Sequence, residues 1–381
     1  MKIGIDCRMW NETGVGRYIQ NIVGIIEKQD KKNQYVLFVL KDNMGMNLPS
    51  NFELVEANIR WHSVAEQFVL PFIMLRQNLD LLHSPHFNVP ILYYKKFVVT
   101  IHDLTILRVK TGRATTLPFP IYFLKRLAFK LVLLNSVYRS KKVFTVSKFV
   151  LKDICKTFKV PESKIVLTPN AVTGKFFKVS APEVKPVLNK YNIDCPYIFY
   201  IGNAHPHKNL ERLLNAFEKV NKKFPDVKLV LGGSKQFFYE RLEKEWQNKP
   251  VYENIKFIGF VDDADLPAIY SGADLFVNPS LYEGFGIQLL EAFACGTRVV
   301  CSNTTSLPEI GGAAAQYFNP RNVDSMASTI ISALTFKDTS KIELGFEIVK
   351  KYSWKESAQK TLDIYSMFEP VLVDSPEGWH L

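Results

Sequence analysis

Apolar residues in the first half of the chain fall into short runs separated by longer segments with helical periodicity. The runs are rich in Val, Ile, Leu and Phe, which is the pattern of strands that are buried on both faces of a sheet. We therefore predict short buried strands at 2–7, 35–40, 81–84, 97–103, 142–147 and 164–170.

The second half repeats the alternation more regularly. A helix is expected to follow its first strand, with Asn209 as the N-cap because Asn is favoured at that position. Alternating strands and helices predict parallel sheets with helices on both faces, and two such runs predict two doubly wound domains. The strands of this half are expected at 197–202, 228–233, 255–260, 274–280 and 298–303.

The boundary between the two runs is expected near 178–186, where proline and charged residues replace the apolar pattern. This predicts a first domain at 1–178 and a second at 179–352. A last helix is expected from Ser353 to about Phe368, and we predict that the segment 353–381 packs back on the first domain. In doubly wound sheets, ligands bind beyond the carboxyl ends of the strands.

Charge is distributed unevenly over the 381 residues, whose formal net charge is +11. Residues 1–180 contain 27 Lys and Arg against 12 Asp and Glu, whereas the remainder contains 21 against 25. This asymmetry indicates an anionic partner of the first half, which could be a membrane surface, a nucleic acid or a phosphorylated substrate. The basic first half lacks a recognised nucleic-acid-binding motif, so a nucleic-acid partner is not expected.

The cysteines and the apolar runs bear on where the protein works. Five cysteines lack paired or metal-like spacing, which indicates free thiols in a reducing compartment. The apolar run at the start of the sequence is too short and too interrupted by polar residues to be a signal peptide. No uncharged apolar run is long enough to span a bilayer. We therefore expect a cytoplasmic protein.

Two glutamates, Glu283 and Glu291, flank a glycine-rich turn and an apolar run that predicts a helix from Ile287 to Ala294. Helical spacing places Glu291 on the apolar face, where a carboxylate needs a partner. If Glu291 were considered alone, a structural ion pair would be enough to explain its burial. On a helix the two carboxylates would be about 12 Å apart, so they could hold opposite ends of one extended ligand. The amides of Phe285, Gly286 and Ile287 would face a negative charge near its middle, as in a sugar nucleotide.

Three further motifs are compatible with an anionic ligand. Gly14 and Gly16 begin a helix in "ETGVGRY", where they could admit a phosphate or simply form a tight turn. Lys208 lies just before another helix, where a lysine is unfavourable unless an anion is present; it could also be a solvated loop residue. His102 ends a strand and could bind a sugar hydroxyl or be structural. His205 and His207 alone make a poor metal site, and no metal is expected.

The stretch "PSLYEGFGIQLLEAFACGTRVVCSNTTSLPEIGG" resembles the signature of family 4 retaining glycosyltransferases, which adopt the GT-B fold. The resemblance extends, in the family order, through "HSPHFNVP", "VVTIHDLT", "FTVSKFVLKDI", "TPNAV", "YIGNAHPHKNLERLLNAF", "IKFIGFVDDADLPAIYSGADLFV" and "YSWKESAQKTLDIY". It implies an α/β protein of two doubly wound, Rossmann-like domains that face a central cleft.

The resemblance also implies roles for individual residues. Glu291 would bind the ribose hydroxyls, Glu283 would lie near the donor sugar, and Lys208 would bind the diphosphate. His102 would contact the donor sugar near the reaction centre. Asn203 stands where many members have an arginine, so a second cation for the diphosphate must come from elsewhere. The further donor contacts implied by the resemblance are Gly14, Gly16, Asn203, Gly259, Phe260, Gly284, Phe285, Gly286 and Ile287.

The implied reaction transfers a sugar from a nucleotide donor to an acceptor hydroxyl with retention of configuration. It requires no metal and no cofactor in this fold. The variants "HSPHFNVP" and "IHDL" look most like mannosyltransferases, so GDP-mannose is the first expectation, with UDP- and dTDP-sugars open. The acceptor would be a glycan or a lipid-linked glycan. A sugar-nucleotide epimerase of the same fold and a non-catalytic anion-binding protein are the alternatives.

The segment 117–142 mixes bulky apolar residues with lysines and arginines, among them Lys125, Arg126 and Lys130. It is too charged to span a bilayer and very apolar for a solvated helix. A core helix with a basic outer edge is one explanation. A basic amphipathic helix also suits the surface of an anionic membrane, so a peripheral location on its cytoplasmic face is predicted.

Overall fold

The fold is seen in a computed structural model that describes residues 1–109, 119–194, 196–234 and 236–369. Three predictions extend beyond those ranges. Cys195 and the end of the predicted C-terminal segment, 370–381, lie outside the described residues, as does the beginning of the basic segment at 117–118.

Within the described residues, the first half forms a seven-stranded sheet in which every pairing is parallel. Its strand order is β3-β2-β1-β4-β5-β6-β7. The order reverses beside β1, which places the ends of β1 and β4 at the switch point of the sheet. The strands are β1 (Lys2–Asp6), β2 (Gln34–Val39), β3 (Phe52–Glu56), β4 (Leu81–Ser84), β5 (Phe97–Ile101), β6 (Val143–Thr145) and β7 (Ile165–Leu167).

The second half forms a six-stranded parallel sheet in the order β10-β9-β8-β11-β12-β13, again within the described residues. Both sheets are covered by helices, which confirms the α/β, doubly wound class. The strands are β8 (Tyr197–Ile201), β9 (Lys228–Gly232), β10 (Ile255–Gly259), β11 (Leu275–Asn278), β12 (Val299–Ser302) and β13 (Ala315–Phe318).

Helices connect the strands on both faces of each sheet. Those of the first half are α1 (Gly14–Gln29), α2 (Val64–Phe68), α3 (Leu70–Arg76), α4 (Thr105–Arg108), α5 (Phe119–Arg139) and α6 (Lys148–Phe158). Those that follow are α7 (Ala181–Lys190), α8 (Leu210–Lys223), α9 (Phe237–Trp246), α10 (Leu266–Gly272), α11 (Ile287–Ala294), α12 (Leu307–Gly311), α13 (Val323–Thr335), α14 (Ser340–Val349) and α15 (Trp354–Ser366). Among the helices so described, none is both long and apolar enough to cross a membrane.

Every predicted strand is present, and two strands were missed. Both missed strands, β3 and β13, are edge strands of their sheets. β3 carries glutamates at Glu53 and Glu56, and its side chains are largely exposed or half-buried. An edge strand is covered less completely than a central one, so it lacks the continuous apolar run that marked the others.

Asn209 precedes α8 as predicted, but it does not cap the helix through its side chain. Its backbone is left-handed, with a φ of 63°. Its side-chain amide instead donates to the carbonyls of Pro279 and Pro320, at 2.9 and 2.8 Å. Asn209 therefore ties the loop before α8 to two neighbouring loops.

The last helix, α15, lies against α1 of the first half. The Tyr365 hydroxyl is 2.6 Å from Nδ1 of the buried His83 on β4, and the Ser357 hydroxyl donates to the Pro169 carbonyl at 2.7 Å. The strands of the two sheets lie within 2–167 and 197–318. The domain limits 1–178 and 179–352 stay predictions.

Candidate active site

The carboxyl edges of the two sheets face each other, and loops from both touch directly. The Ser147 hydroxyl donates to the Gly284 carbonyl at 2.6 Å, and the Tyr282 hydroxyl donates to Asp153 at 2.8 Å. The carboxylate of Glu309 accepts from the first amides of α6. These contacts hold the two halves together around a shared cleft.

Gly284 packs tightly against the other half. A Cβ built on it would lie 2.0 Å from the carbonyl oxygen of His102, which follows β5 on the other side. A side chain of any size would push the two loops apart. Only glycine permits this contact, which brings His102 next to the turn that precedes α11.

Glu283 and Lys208 form a buried ion pair within the second half. Lys208 Nζ lies 2.7 Å from Glu283 Oε1, and each side chain is about one eighth exposed, at 13% and 12%. The Ser280 hydroxyl donates to the same carboxylate oxygen at 2.8 Å. Burial raises the pKa of Glu283, but Lys208, His207 and Ser280 outweigh it and hold that pKa below its ordinary value.

Glu291 is buried on α11, as its position in the apolar pattern predicted. Its Oε2 accepts from the Tyr270 hydroxyl at 2.9 Å, and its Oε1 accepts from Nη1 of Arg17, which lies on α1 of the first half, at 2.5 Å. The other end of the Arg17 guanidinium donates to Asp263 at 2.6 Å. Burial raises the pKa of Glu291 above its ordinary value, although Arg17 and Tyr270 act in the opposite direction. The carboxylate predicted to bind ribose is therefore engaged across the cleft.

The two glutamates are not on one helix. α11 begins at Ile287, so Glu283 lies in the turn before it. The predicted separation of about 12 Å between the two carboxylates was therefore wrong in its basis, because it used the rise of a continuous helix. The turn ends at Gly286, whose φ of 84° is in the left-handed region that favours glycine.

The start of α11 supplies backbone donors, because the first amides of a helix have no intrahelical acceptor. Those of Ile287 and Gln288 are accordingly available to an anion. The side chain of Phe285 is buried against Tyr352 and contributes packing, with ring centroids 5.5 Å apart. Any contact of Phe285 with a donor would have to come from its backbone.

A cavity of about 180 Å³ lies beside Glu291, between the two halves. Arg17 and Asn21 of α1 form one side, while Ile287 and Asp263 belong to the other half. The full lining is Arg17, Gln20, Asn21, Ala171, Val172, Thr173, Lys175, Phe176, Asp263, Ile287, Glu291 and Trp354.

His102 is half-buried and its ring orientation is fixed. Its Nε2 lies 2.8 Å from the Pro85 carbonyl, and its ring meets Tyr18 edge-on at 4.9 Å. A carbonyl only accepts, so Nε2 carries the hydrogen and Nδ1 of the neutral ring is an acceptor. Burial lowers the pKa of His102, more than the Pro85 hydrogen bond and Asp103 raise it.

The remaining predicted donor residues lie at the carboxyl ends of strands or in the first turn of α1. Gly16 has its Cα against its own loop, because an added Cβ would lie 2.4 Å from the Trp10 carbonyl, whereas Gly14 has open space around it. The Asn203 side chain accepts from the His205 amide at 3.3 Å. Gly259 ends β10 with a φ of 71°, and Phe260 beside it is 65% exposed.

Sequence reasoning missed two partners of Glu291, Arg17 and Tyr270. Arg17 directly follows Gly16 in the motif already singled out, which was a usable signal for a cation at this edge. Tyr270 gave none, since it lies in an apolar stretch that predicts only a core helix. In the described ranges, no group of three or more His, Cys, Asp or Glu side chains could hold a metal ion.

Comparison with known proteins adds family matches to this geometry. Residues 27–173 match the model described as Glycosyltransferase Family 4, and residues 186–342 match that described as Glycosyl transferases group 1. The O-antigen chain mannosyltransferase B of Escherichia coli is 34% identical over 299 residues, which are 75% of this chain and 74% of the relative.

Solved structures of the same architecture are more distant in sequence. Sucrose-phosphate synthase from Thermosynechococcus elongatus superposes with a TM-score of 0.75 at 18% identity, covering 96% of this chain and 98% of that one. The Anabaena protein HepE, solved in complex with UDP-glucose, gives 0.74 at 14% identity and covers 96% and 100%. These similarities show the GT-B fold, and together with the family matches they identify the chain as an enzyme that belongs to the family 4, group 1 glycosyltransferases.

Proposed function

We propose that this glycosyltransferase moves mannose from GDP-mannose to a hydroxyl of a glycan or lipid-linked glycan, with retention of configuration. The observation that carries the proposal is the Lys208–Glu283 pair beside the amino end of α11. It combines a cation and free amides for a diphosphate with a carboxylate for sugar hydroxyls. The mannosyltransferase names of the E. coli relatives support the choice of sugar.

The reaction requires that negative charge on the leaving diphosphate be stabilised as the bond to the sugar breaks. Lys208 and the first amides of α11 are preorganised donors for that charge. The transition state resembles an oxocarbenium ion, as in other glycosyl chemistry. Glu283 is held as a carboxylate by Lys208 and orients the sugar rather than attacking it. An oxygen of the departing phosphate takes the proton of the acceptor hydroxyl on the same face.

Nucleotide binding involves Glu291 in this proposal. Its acceptor oxygens are the groups that ribose hydroxyls need, and Arg17 and Tyr270 each donate to one of them. Donor binding must therefore displace or share the Arg17 contact. Arg17 follows Gly16, so its guanidinium is a candidate for the second diphosphate cation that Asn203 does not supply.

Thermal unfolding with a set of sugar nucleotides tests the donor, because a ligand that binds the native state raises its apparent stability. We expect the largest increase with GDP-mannose, compared with UDP-glucose and dTDP-glucose. The anomeric configuration of the product, read by NMR, tests retention. A changed sugar nucleotide formed from the donor alone would instead identify an epimerase. Binding of RNA or DNA with no transfer or hydrolysis would favour an anion-binding protein.

Independence from metal is part of the proposal, because Lys208 and the amides of α11 take the place of a cation at the diphosphate. Transfer measured in excess EDTA should equal transfer with Mg²⁺. A loss of activity in EDTA that Mg²⁺ or Mn²⁺ restores would contradict this part.

The acceptor side is proposed to face an anionic membrane on its cytoplasmic side. Exposed apolar side chains lie on α2 and α3 (Val64, Phe68, Phe72), on the loop 91–94, and on α5 (Ile121, Phe123, Leu124, Leu127, Leu131). The three segments adjoin, since the Ile91 amide bonds Gln67 at 3.0 Å and the Arg139 guanidinium bonds the Ile91 carbonyl at 2.9 Å. We call this surface the apolar face. Patches of this kind mark interaction sites, and lysines among them favour an anionic bilayer.

Co-sedimentation with vesicles tests membrane binding. The protein should sediment with phosphatidylglycerol vesicles at low salt, and less at high salt or with phosphatidylcholine alone. Replacing Lys125, Arg126 and Lys130 with Gln should reduce sedimentation without changing GDP binding. Replacing three lysines of α8, Lys219, Lys222 and Lys223, is the matched control and should have little effect. A wild-type protein that stays in the supernatant at low salt would contradict the membrane proposal.

A further inference from the structure

Three histidines form a row beyond the carboxyl ends of β3, β4 and β5 in the first half. His102 follows β5, His86 follows the neighbouring β4, and His62 precedes α2. Ring centroids are 6.5 Å apart between His102 and His86, and 5.7 Å apart between His86 and His62. The row starts where His102 meets Gly284 and leads away from it toward α5, where His62 touches Phe129 at 4.8 Å.

A buried chain of polar side chains fixes the middle ring. Nδ1 of His86 is hydrogen-bonded to Oδ1 of Asn88, and the Asn88 amide donates to Glu66 at 2.5 Å. Glu66 in turn accepts from Arg8 at 2.7 Å, and Arg8 also pairs with Asp6 at the end of β1. Arg8 and Glu66 are each only 1% exposed. Such a network is costly to bury, and none of its members is used by the donor site described above.

The direction of these hydrogen bonds determines the tautomer of His86. Glu66 is bonded as a carboxylate to Arg8, so Asn88 must present its NH₂ to Glu66 and its oxygen to His86. Nδ1 of His86 therefore carries the hydrogen, and Nε2 is an acceptor. Burial lowers the pKa of His86 to about 3, more than its bond to Asn88 raises it, so the ring is neutral at ordinary pH. A neutral acceptor suits a hydroxyl and not a phosphate.

We propose that the row is the subsite for the acceptor sugar, and that Nε2 of His86 accepts a hydrogen bond from one of its hydroxyls. This rests on the proposed function, since it assumes that the cleft transfers a sugar to a glycan. The half-buried ring of Phe129 beside the row offers apolar surface to the C–H face of a pyranose, while Phe87 packs against the histidines from within the core. Arg8, Glu66 and Asn88 are positioning residues that act through His86.

Saturation-transfer NMR with methyl α-mannopyranoside, methyl α-glucopyranoside and methyl α-galactopyranoside tests the subsite without any donor. At least one should bind the wild-type protein. His86→Phe keeps a ring and removes the acceptor, so it should weaken that binding about three- to tenfold, the worth of one hydrogen bond. His86→Gln, which keeps an acceptor oxygen, should recover part of the affinity. Asn88→Ala, which frees the ring, should weaken binding as well.

Donor-side measurements separate this subsite from the donor site. GDP binding should be unchanged in His86→Phe, while KM for the methyl glycoside rises. The inference is overturned if no glycoside binds the wild-type protein, if His86→Phe binds it normally, or if GDP binding falls in parallel. Failure of GDP-mannose to bind, with glycoside binding still dependent on His86, would refute the proposed donor and leave the subsite standing.

Discussion

The two glutamates that first drew attention in the sequence are held in different ways. Glu283 is paired with Lys208 inside one half of the molecule, whereas Glu291 is paired with Arg17 across the cleft. Their pKa values are shifted in opposite directions. Hydrogen bonds and nearby positive charge lower the pKa of Glu283 despite its burial, whereas burial raises the pKa of Glu291 despite its partners. The first pair persists if the halves move relative to each other, while the second exists only when they are close.

This difference separates a preassembled part of the site from a part that depends on conformation. Lys208 and Glu283 lie in the same half, so their pairing does not depend on how close the two halves are. Under the proposed function, Glu291 exchanges Arg17 for the ribose when a nucleotide enters. Chemistry is therefore expected to depend on the first pair and nucleotide affinity on the second.

The largest expected effect follows from removing the cation of the preassembled pair. Lys208→Ala should lower kcat/KM by on the order of 100-fold, comparable to the loss of one oxyanion donor. Lys219→Ala, on α8 and paired at the surface with Asp324, is the control and should behave as wild type. Near-normal kinetics in a Lys208→Met enzyme would show that other groups hold the phosphate.

The next effect concerns nucleotide affinity, measured by isothermal titration with GDP. Glu291→Ala should weaken binding about tenfold, as expected for lost hydrogen bonds to a charged group, while Glu283→Ala should mainly lower turnover. Equal losses of GDP affinity in the two variants would contradict the assignment of Glu291 to the ribose and of Glu283 to the donor sugar.

A smaller effect is expected in the pH dependence of the free energy of unfolding. Glu283 has a lowered pKa in the folded state, so its ionised form contributes stability above its unfolded pKa of about 4.3 that is lost as pH falls through the folded value. Glu291 has a raised pKa, so its ionisation costs stability once pH exceeds the unfolded value. At pH 7, Glu291→Gln should therefore be more stable than Glu283→Gln by on the order of 1 kcal/mol.

Thermal unfolding of both variants at several pH values checks this order. The gap should shrink as pH falls to about 4.3, where the cost of ionising Glu291 disappears, and shrink further below that pH as the contribution of the Glu283 carboxylate is lost. A gap that stays constant from neutral to acidic pH would mean that the ionisation of these groups does not cause it.

The smallest effect concerns the contact across the cleft. Arg17→Ala frees Oε1 of Glu291, so guanosine, which lacks phosphate, should bind about threefold more tightly. The gain is small because a partly exposed ion pair is worth no more than about 1 kcal/mol. GDP should gain less or lose affinity if Arg17 also reaches the diphosphate. Asp263→Asn removes the other Arg17 partner and should leave guanosine affinity near wild type. Weaker guanosine binding in Arg17→Ala would contradict the exchange.

The central strands and α11 could be predicted because each is nearly continuous in apolar residues, and burial of Glu291 followed from its place in that pattern. The edge strand β3 could not, because glutamates interrupt it. Partners distant in sequence also escaped prediction. Arg17 and Glu291 are 274 residues apart, and no local periodicity links them.

The same limit applies to His86. The histidine stands in a motif that the sequence displayed, but its meaning depends on Asn88, Glu66 and Arg8. These come from three different loops and helices, and only the folded first sheet brings them together. Likewise, Asn209 was correctly predicted to precede α8. Its side-chain amide, however, donates to the carbonyls of Pro279 and Pro320, in loops that the sequence does not show to be close.

The position of α15 also has a consequence for how the protein is made. His83 lies buried in the first sheet, and its Nδ1 depends on the hydroxyl of Tyr365. At roughly 5–20 residues per second, a ribosome needs on the order of tens of seconds to add the 282 residues between them. The first sheet therefore emerges early, but Nδ1 of this buried imidazole lacks its partner until α15 has been synthesised, although Nε2 is already bonded to Thr100. The half that begins the chain is completed after the half that follows it.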